Sequence, residues 1–259
     1  MTEILNSYAI AAAVVFGYMT ILFLLAILLK DNSIADIAWG PGFIIAAAAV
    51  MVANEAFGAR NLLLQALVTV WGLRLCIRIF MRNRGHGEDW RYKKWREEWG
   101  KFFYLRSYLQ VFVLQGTILL VNAAPLVIAN TEPGEVLAWT DYAGLAVWVL
   151  GFYFETVGDY QLDRFIKDPA NRGKIMDIGL WRYTRHPNYF GEVAMWWGIF
   201  IIGLGASWGA LGIIGPVIIT LMLVFVSGIP MTERAMEHDP AFQEYKKRTS
   251  ALIPLPPKK

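Results

Sequence analysis

Seven apolar runs dominate the chain, at residues 8 to 29, 34 to 53, 61 to 80, 108 to 129, 137 to 156, 190 to 206 and 209 to 229. Each is close to the roughly 20 residues that a helix needs to cross a bilayer core. Inside lipid every backbone N–H and C=O must find a partner within the chain, which leaves helices or a closed barrel. Runs this long, without strand-like alternation, select helices. The expectation is an all-α, polytopic membrane protein with about seven transmembrane helices and one transmembrane domain over 1–259. A composition that is 56% hydrophobic and 14% aromatic agrees. Gln115, Asn122 and Pro125 interrupt the fourth run, and only Gly205 to Trp208 separate the last two, as in a tight antiparallel hairpin. The N-terminus, Met-Thr-Glu, lacks a basic region and its first run is long enough to span, so no cleavable signal peptide is expected.

The basic residues set an orientation. Segment 81–107 holds eight lysines and arginines, segment 157–189 six and the tail 230–259 six; with Lys30 these are 21 of the 24. The opposite loops contain only Arg60. The positive-inside rule therefore places the N-terminus outside and the C-terminus in the cytoplasm, most simply across a bacterial inner membrane. Arg74 and Arg78 lie within the third run, where arginine costs about 2.5–3.5 kcal/mol unless it snorkels or meets a polar cavity. Arg78 is placed to snorkel and Arg74 to face a cavity. Asp36, Glu155, Asp159 and Glu192 fall at the same cytoplasmic level. For any one of them the plain alternative is an ion pair, for example Asp36 with Arg74; together they predict a cavity open to the cytoplasm.

Other chemistries are excluded. The single cysteine, Cys76, rules out a disulfide framework, and three histidines without ligand spacing give no metal site. There is no GxGxxG turn, and no serine with a credible base. Segment 81–107 turns at Asn83 to Gly87; Trp90, Lys94, Trp95 and Trp99 then recur at the spacing of an interfacial amphipathic helix in contact with membrane lipids. Glu88, Asp89, Glu97 and Glu98 dilute its positive field, which argues against nucleic acid.

The densest polar stretch is Trp181 to Glu192, directly before the sixth run. Pro187 holds His186 extended and suits a first helical turn, so a helix is predicted to start near Asn188. Its N-terminus, with Arg182, Arg185 and His186 nearby, has the makings of an anion site for a phosphorylated or carboxylated cofactor. Interfacial anchoring of the helix is the plain alternative.

Asp159-Tyr160, Gly179-Leu180-Trp181, Tyr183, Arg185 to Glu192 and Leu252-Ile253-Pro254 resemble the C-terminal half of the steroid 5α-reductase family, above all its bacterial branch, over about 155 to 256. Related motifs occur in sterol reductases and in isoprenylcysteine carboxyl methyltransferases. The resemblance implies a membrane reductase that binds NADPH from the cytoplasm and reduces a polarised C=C bond in a lipidic or steroid-like substrate. It places Asp159, Asn188 and Glu192 along the nicotinamide cofactor, with Tyr183 and Tyr189 beside them. Asn83 and Arg84 match an Asn-Arg-Gly that touches the cofactor, and Lys167 and Arg234 fall where phosphate contacts are expected. That family polarises its ketone with a Gln-Glu pair on the second helix and a tyrosine on the third. Here the second run offers Asp36 and the third has no tyrosine, so Asp36 is the candidate proton donor. Arg185-His186-Pro187, Glu233-Arg234, Tyr245 to Arg248 and the Leu-Ile-Pro ending are equally familiar from S-adenosylmethionine-dependent methyltransferases of the isoprenylcysteine type. A lipid-binding protein without catalysis is the third reading.

Overall fold

The computed structural model describes residues 1–258, and among these it is helical without β-strands. Two compact units divide the chain: the first comprises 1–138 and 203–214, the second 139–202 and 215–259.

The first unit contains α1 (Thr2–Leu29), α2 (Ile34–Ile37), α3 (Trp39–Ala53), α4 (Ala59–Asn83), α5 (Trp90–Trp99), α6 (Phe103–Ser107), α7 (Leu114–Asn122) and α8 (Ala124–Ala129). α1 is apolar all round, yet it buries one stripe, Ile4, Ser7, Ala11, Val15, Met19, Leu22 and Ala26, spaced three and four apart. Leu5, Ile21, Leu24 and Leu28 stay exposed on its other face. An outward face of that kind suits lipid rather than water. α3 and α4 meet at Gly40 and Gly72, where a Cβ on Gly40 would stand 2.3 Å from the Gly72 carbonyl oxygen. Trp71 and Phe43 then pack in a T-shaped contact, ring centroids 5.6 Å apart, in the buried core.

The sequence interruptions appear as breaks. The second apolar run is jointed at Ala38, just before Pro41, leaving the 15 residues of α3. The fourth run widens into a π-helical segment at Tyr108–Val113 and breaks at Ala123, two residues before Pro125. Among the described residues four helical stretches are both long and apolar enough to cross a membrane: Thr2–Leu29, Ala59–Asn83, Trp90–Asn122 and Gly209–Arg234. Seven were expected. The Ala38 joint shortens the second, α10 has 17 residues, and α9 is diluted by Asp141, Glu155 and Asp159.

The second unit contains α9 (Trp139–Lys167), α10 (Pro187–Gly203), α11 (Ile214–Leu221), α12 (Ile229–Arg234) and α13 (Pro240–Arg248). Glycines seven residues apart lock α9 to α10: a Cβ on Gly144 would lie 2.5 Å from the Gly198 carbonyl oxygen, and one on Gly151 2.6 Å from that of Gly191. Gly158 continues the series against Pro187 and Asn188. Rising positions on α9 thus meet falling positions on α10, so the pair is antiparallel with its backbones nearly touching, as small residues permit in lipid. A seven-residue repeat keeps that seam on one face along both helices.

Candidate functional site

The turn before α10 is built from the tail. Gly179 takes φ 62°, a conformation that favours glycine, and a Cβ there would collide with Gln161, whose Oε1 accepts from the Leu180 amide at 2.9 Å. Trp181 Nε1 donates to the Gly158 carbonyl at 3.0 Å. Thr184 pairs with Ser250 in an isolated parallel bridge and donates its hydroxyl to the Leu252 carbonyl at 2.8 Å. The Tyr245 hydroxyl donates to the Trp181 carbonyl, and burial pushes its pKa up, so it stays a donor.

Glu233 is the hub of this corner. Its Oε1 accepts from Arg185 Nε at 2.8 Å and from His186 Nε2 at 3.1 Å, and its Oε2 from Lys246 Nζ at 3.0 Å. A carboxylate only accepts, so Nε2 of His186 carries the proton. Arg185 also donates to the Thr249 carbonyl at 2.5 Å. Both Arg185 and His186 are buried, and their polar groups turn inward on α12 and the tail. They were expected to ring an anion at the helix N-terminus; in the structure Arg185 Nε and Nη1 and His186 Nε2 bond a buried carboxylate and backbone carbonyls.

What remains at the N-terminus of α10 is a different set. The helix starts at Pro187, one residue from its predicted position. Asn188 lies against Gly158, the neighbour of Asp159, and its Oδ1 is buried with no hydrogen-bond partner. Asp159 and Glu155, one turn apart on α9, are both buried. Glu192 sits one turn beyond Asn188. Tyr189 donates to or accepts from Thr232 at 3.0 Å and stacks on the His186 ring at 5.2 Å. Tyr183 is exposed. At the C-terminal end of α9 a cleft of ≈ 700 Å³ is lined by Tyr160, Arg164, Phe165, Lys167, Ile178 and Gly179, among others. Lys167 therefore lies at a cleft, whereas Arg234 ends α12 on the surface.

The remaining predicted residues belong to the first unit. Asn83 ends α4 and lines a ≈ 450 Å³ pocket with Arg82, His86, Asp89 and Lys93; Arg84 follows it in an exposed turn. Asp36 accepts from Arg91 Nη2 at 2.8 Å, the Tyr92 hydroxyl at 2.9 Å and Gln115 Nε2 at 3.3 Å. The ion pair imagined with Arg74 is thus formed with Arg91. Asp89 caps α5 by accepting from the Arg91 amide at 2.9 Å. Burial works to raise the Asp89 carboxyl, but the Arg91 hydrogen bonds and the charges of Arg91 and Arg82 outweigh it and hold it below the usual range. Tyr92, Arg91 and Gln115 were missed from sequence because they lie 55 to 79 positions from Asp36.

The family model described as "Protein of unknown function (DUF1295)" matches residues 22–249. The chain belongs to the DUF1295 family. This family includes steroid 5α-reductase-like proteins. An uncharacterised protein of Schizosaccharomyces pombe is 28% identical over 222 residues, covering 76% of this chain and 64% of its own length. The protein named 3-oxo-5-alpha-steroid 4-dehydrogenase 1 is 32% identical over 117 residues both in Mus musculus, covering 43% of this chain and 41% of the mouse protein, and in Homo sapiens, covering 43% and 40%. The match therefore spans less than two thirds of each relative. No solved structure matches this DUF1295 chain.

Proposed function

We propose that the chain is a membrane reductase that uses NADPH to saturate a polarised C=C bond in a lipidic, steroid-like substrate. The observation that carries this reading is Asn188, whose buried, unpartnered Oδ1 sits at the first turn of α10 against Gly158 and beside Asp159. A buried acceptor left without a donor is costly, so a ligand that brings an N–H there is favoured. The carboxamide of a nicotinamide is such a donor. Arg164 and Lys167 at the neighbouring cleft fit its phosphates, and the exposed rings of Tyr160 and Tyr183 offer stacking faces. When bound, NADPH supplies a hydride, and a proton from the protein or water completes the reduction.

The chain's own residues have separable parts in this reading. The glycine seam between α9 and α10 sets Asp159 level with Asn188 and Glu155 level with Glu192 one turn further along, and Glu233 holds the turn that delivers them. Tyr189 and Arg234 are proposed as further contacts in this unit; Asn83 and Arg84 are contacts that only the resemblance implies. Asp36, with three donors converging on it, is suited to position Tyr92 and Arg91, although the sequence offers it as the candidate proton donor where the chain departs from the family's Gln-Glu pair. Of the segments that also fit a methyltransferase, Arg185, His186, Glu233 and Lys246 are accounted for by their bonds to one another. The names of the mouse and human relatives support a 3-oxo-4-ene steroid as the first substrate to try. Purified protein given NADPH and such a steroid is expected to yield a product two mass units heavier, seen by mass spectrometry; methyl transfer from S-adenosylmethionine to a prenylcysteine would overturn the reading.

A further inference from the structure

A second, smaller pocket of ≈ 300 Å³ lies beside the large cleft in the same unit, lined by Asp177, Ile178, Arg182, Arg248, Thr249, Pro257 and Lys258. It is assembled by the tail: Leu255 donates its amide to the Tyr183 carbonyl at 3.0 Å, and the Lys258 amide returns to the Arg248 carbonyl at 2.9 Å. The loop so closed brings Arg248 and Lys258 to the pocket that Arg182 enters from the turn before α10. Three cations meet one carboxylate, Asp177, which is paired with Arg248. Two positive charges are left in excess. A phosphate monoester, carrying about −1.5 to −2 at neutral pH, complements that excess better than a phosphodiester or a carboxylate. Ile178 is a wall of both hollows, so a ligand lying along Tyr160 and Phe165 in the large cleft has only that side chain to cross.

We propose that Arg182, Arg248 and Lys258 bind the phosphate monoester on the adenosine ribose of NADPH, and thereby select NADPH over NADH. This rests on the reductase reading, because it concerns the same cofactor. Tyr160, more than half exposed at the rim of the large cleft, supplies a face for the adenine ring. Arg182 and Lys258 are exposed, so both can be changed without unpacking the fold.

The test is the affinity of the full-length protein, in nanodiscs of neutral phosphatidylcholine, for NADPH and for NADH. In the double variant Arg182→Gln/Lys258→Gln the NADPH affinity is expected to fall roughly 10- to 100-fold, the loss of one or two charge-assisted hydrogen bonds, while the NADH affinity stays as it was. Asp177→Asn, which raises the positive excess, is expected to widen the preference for NADPH. An unchanged ratio of the two affinities in a double variant that still binds NADPH overturns the pocket but leaves the reductase reading standing. Failure of the wild type to bind either nucleotide overturns both. Retention of phosphatidic acid, lost in the double variant with the nucleotide ratio unchanged, gives the pocket to a lipid phosphate monoester and overturns the cofactor assignment.

Discussion

Arg185 and Glu233 form an ion pair 2.8 Å long with both side chains under 10% exposed. Breaking such a pair leaves an uncompensated charge in the interior. Glu233 also receives His186 and Lys246, so Glu233→Gln weakens three contacts at once. The expected cost is about 3–5 kcal/mol, read as a lowered melting temperature and as proteolysis of the tail after α12. An unchanged melting temperature would show that the hub is dispensable.

The glycine seam makes a sharper contrast. Gly151→Leu drives a side chain into the Gly191 carbonyl and Met195, and overpacking of this kind typically costs about 1–3 kcal/mol or more. Gly17→Leu, where nothing lies within 4 Å of the added Cβ, is the control and is expected to be tolerated. Thermal melts of the two variants in detergent check the claim; equal melting temperatures would mean that α9 and α10 do not depend on backbone contact.

Asp36 tests a division of labour. With Arg91, Tyr92 and Gln115 all donating to it, Asp36→Asn is expected to loosen α5 and cost about 2 kcal/mol, a figure for charged hydrogen bonds at a partly exposed site. Adding Arg91→Met is expected to recover part of the loss. A variant that keeps the wild-type melting temperature but loses roughly 10²–10⁴ in turnover would instead make Asp36 the acid.

Parts of this were legible in the sequence, and the reasons are physical. The α10 start at Pro187, the α5 aromatic helix and the turn after Asn83 are local features, set by proline geometry, i, i+4 spacing and glycine, and each was read correctly. The glycine repeat at 144, 151 and 158 was equally readable and was overlooked, because hydrophobicity hides packing in an apolar helix. The pairings of Asp36 with Arg91 and of Arg185 with Glu233 join residues 55 and 48 positions apart, and nothing local encodes which charges meet. Arg185 and His186 show the same limit: the sequence displays a guanidinium and an imidazole, but not the Glu233 carboxylate that both meet from 48 and 47 positions away.

The most direct measurement is a titration of the purified protein with NADPH, followed by energy transfer from tryptophan to the nicotinamide, with Asn188→Ala alongside. The account expects saturable binding by the wild type and an affinity at least about 10-fold weaker in the variant, the cost of one buried hydrogen bond. Absence of NADPH binding by a folded wild type, with saturable binding of S-adenosylmethionine in its place, would contradict it.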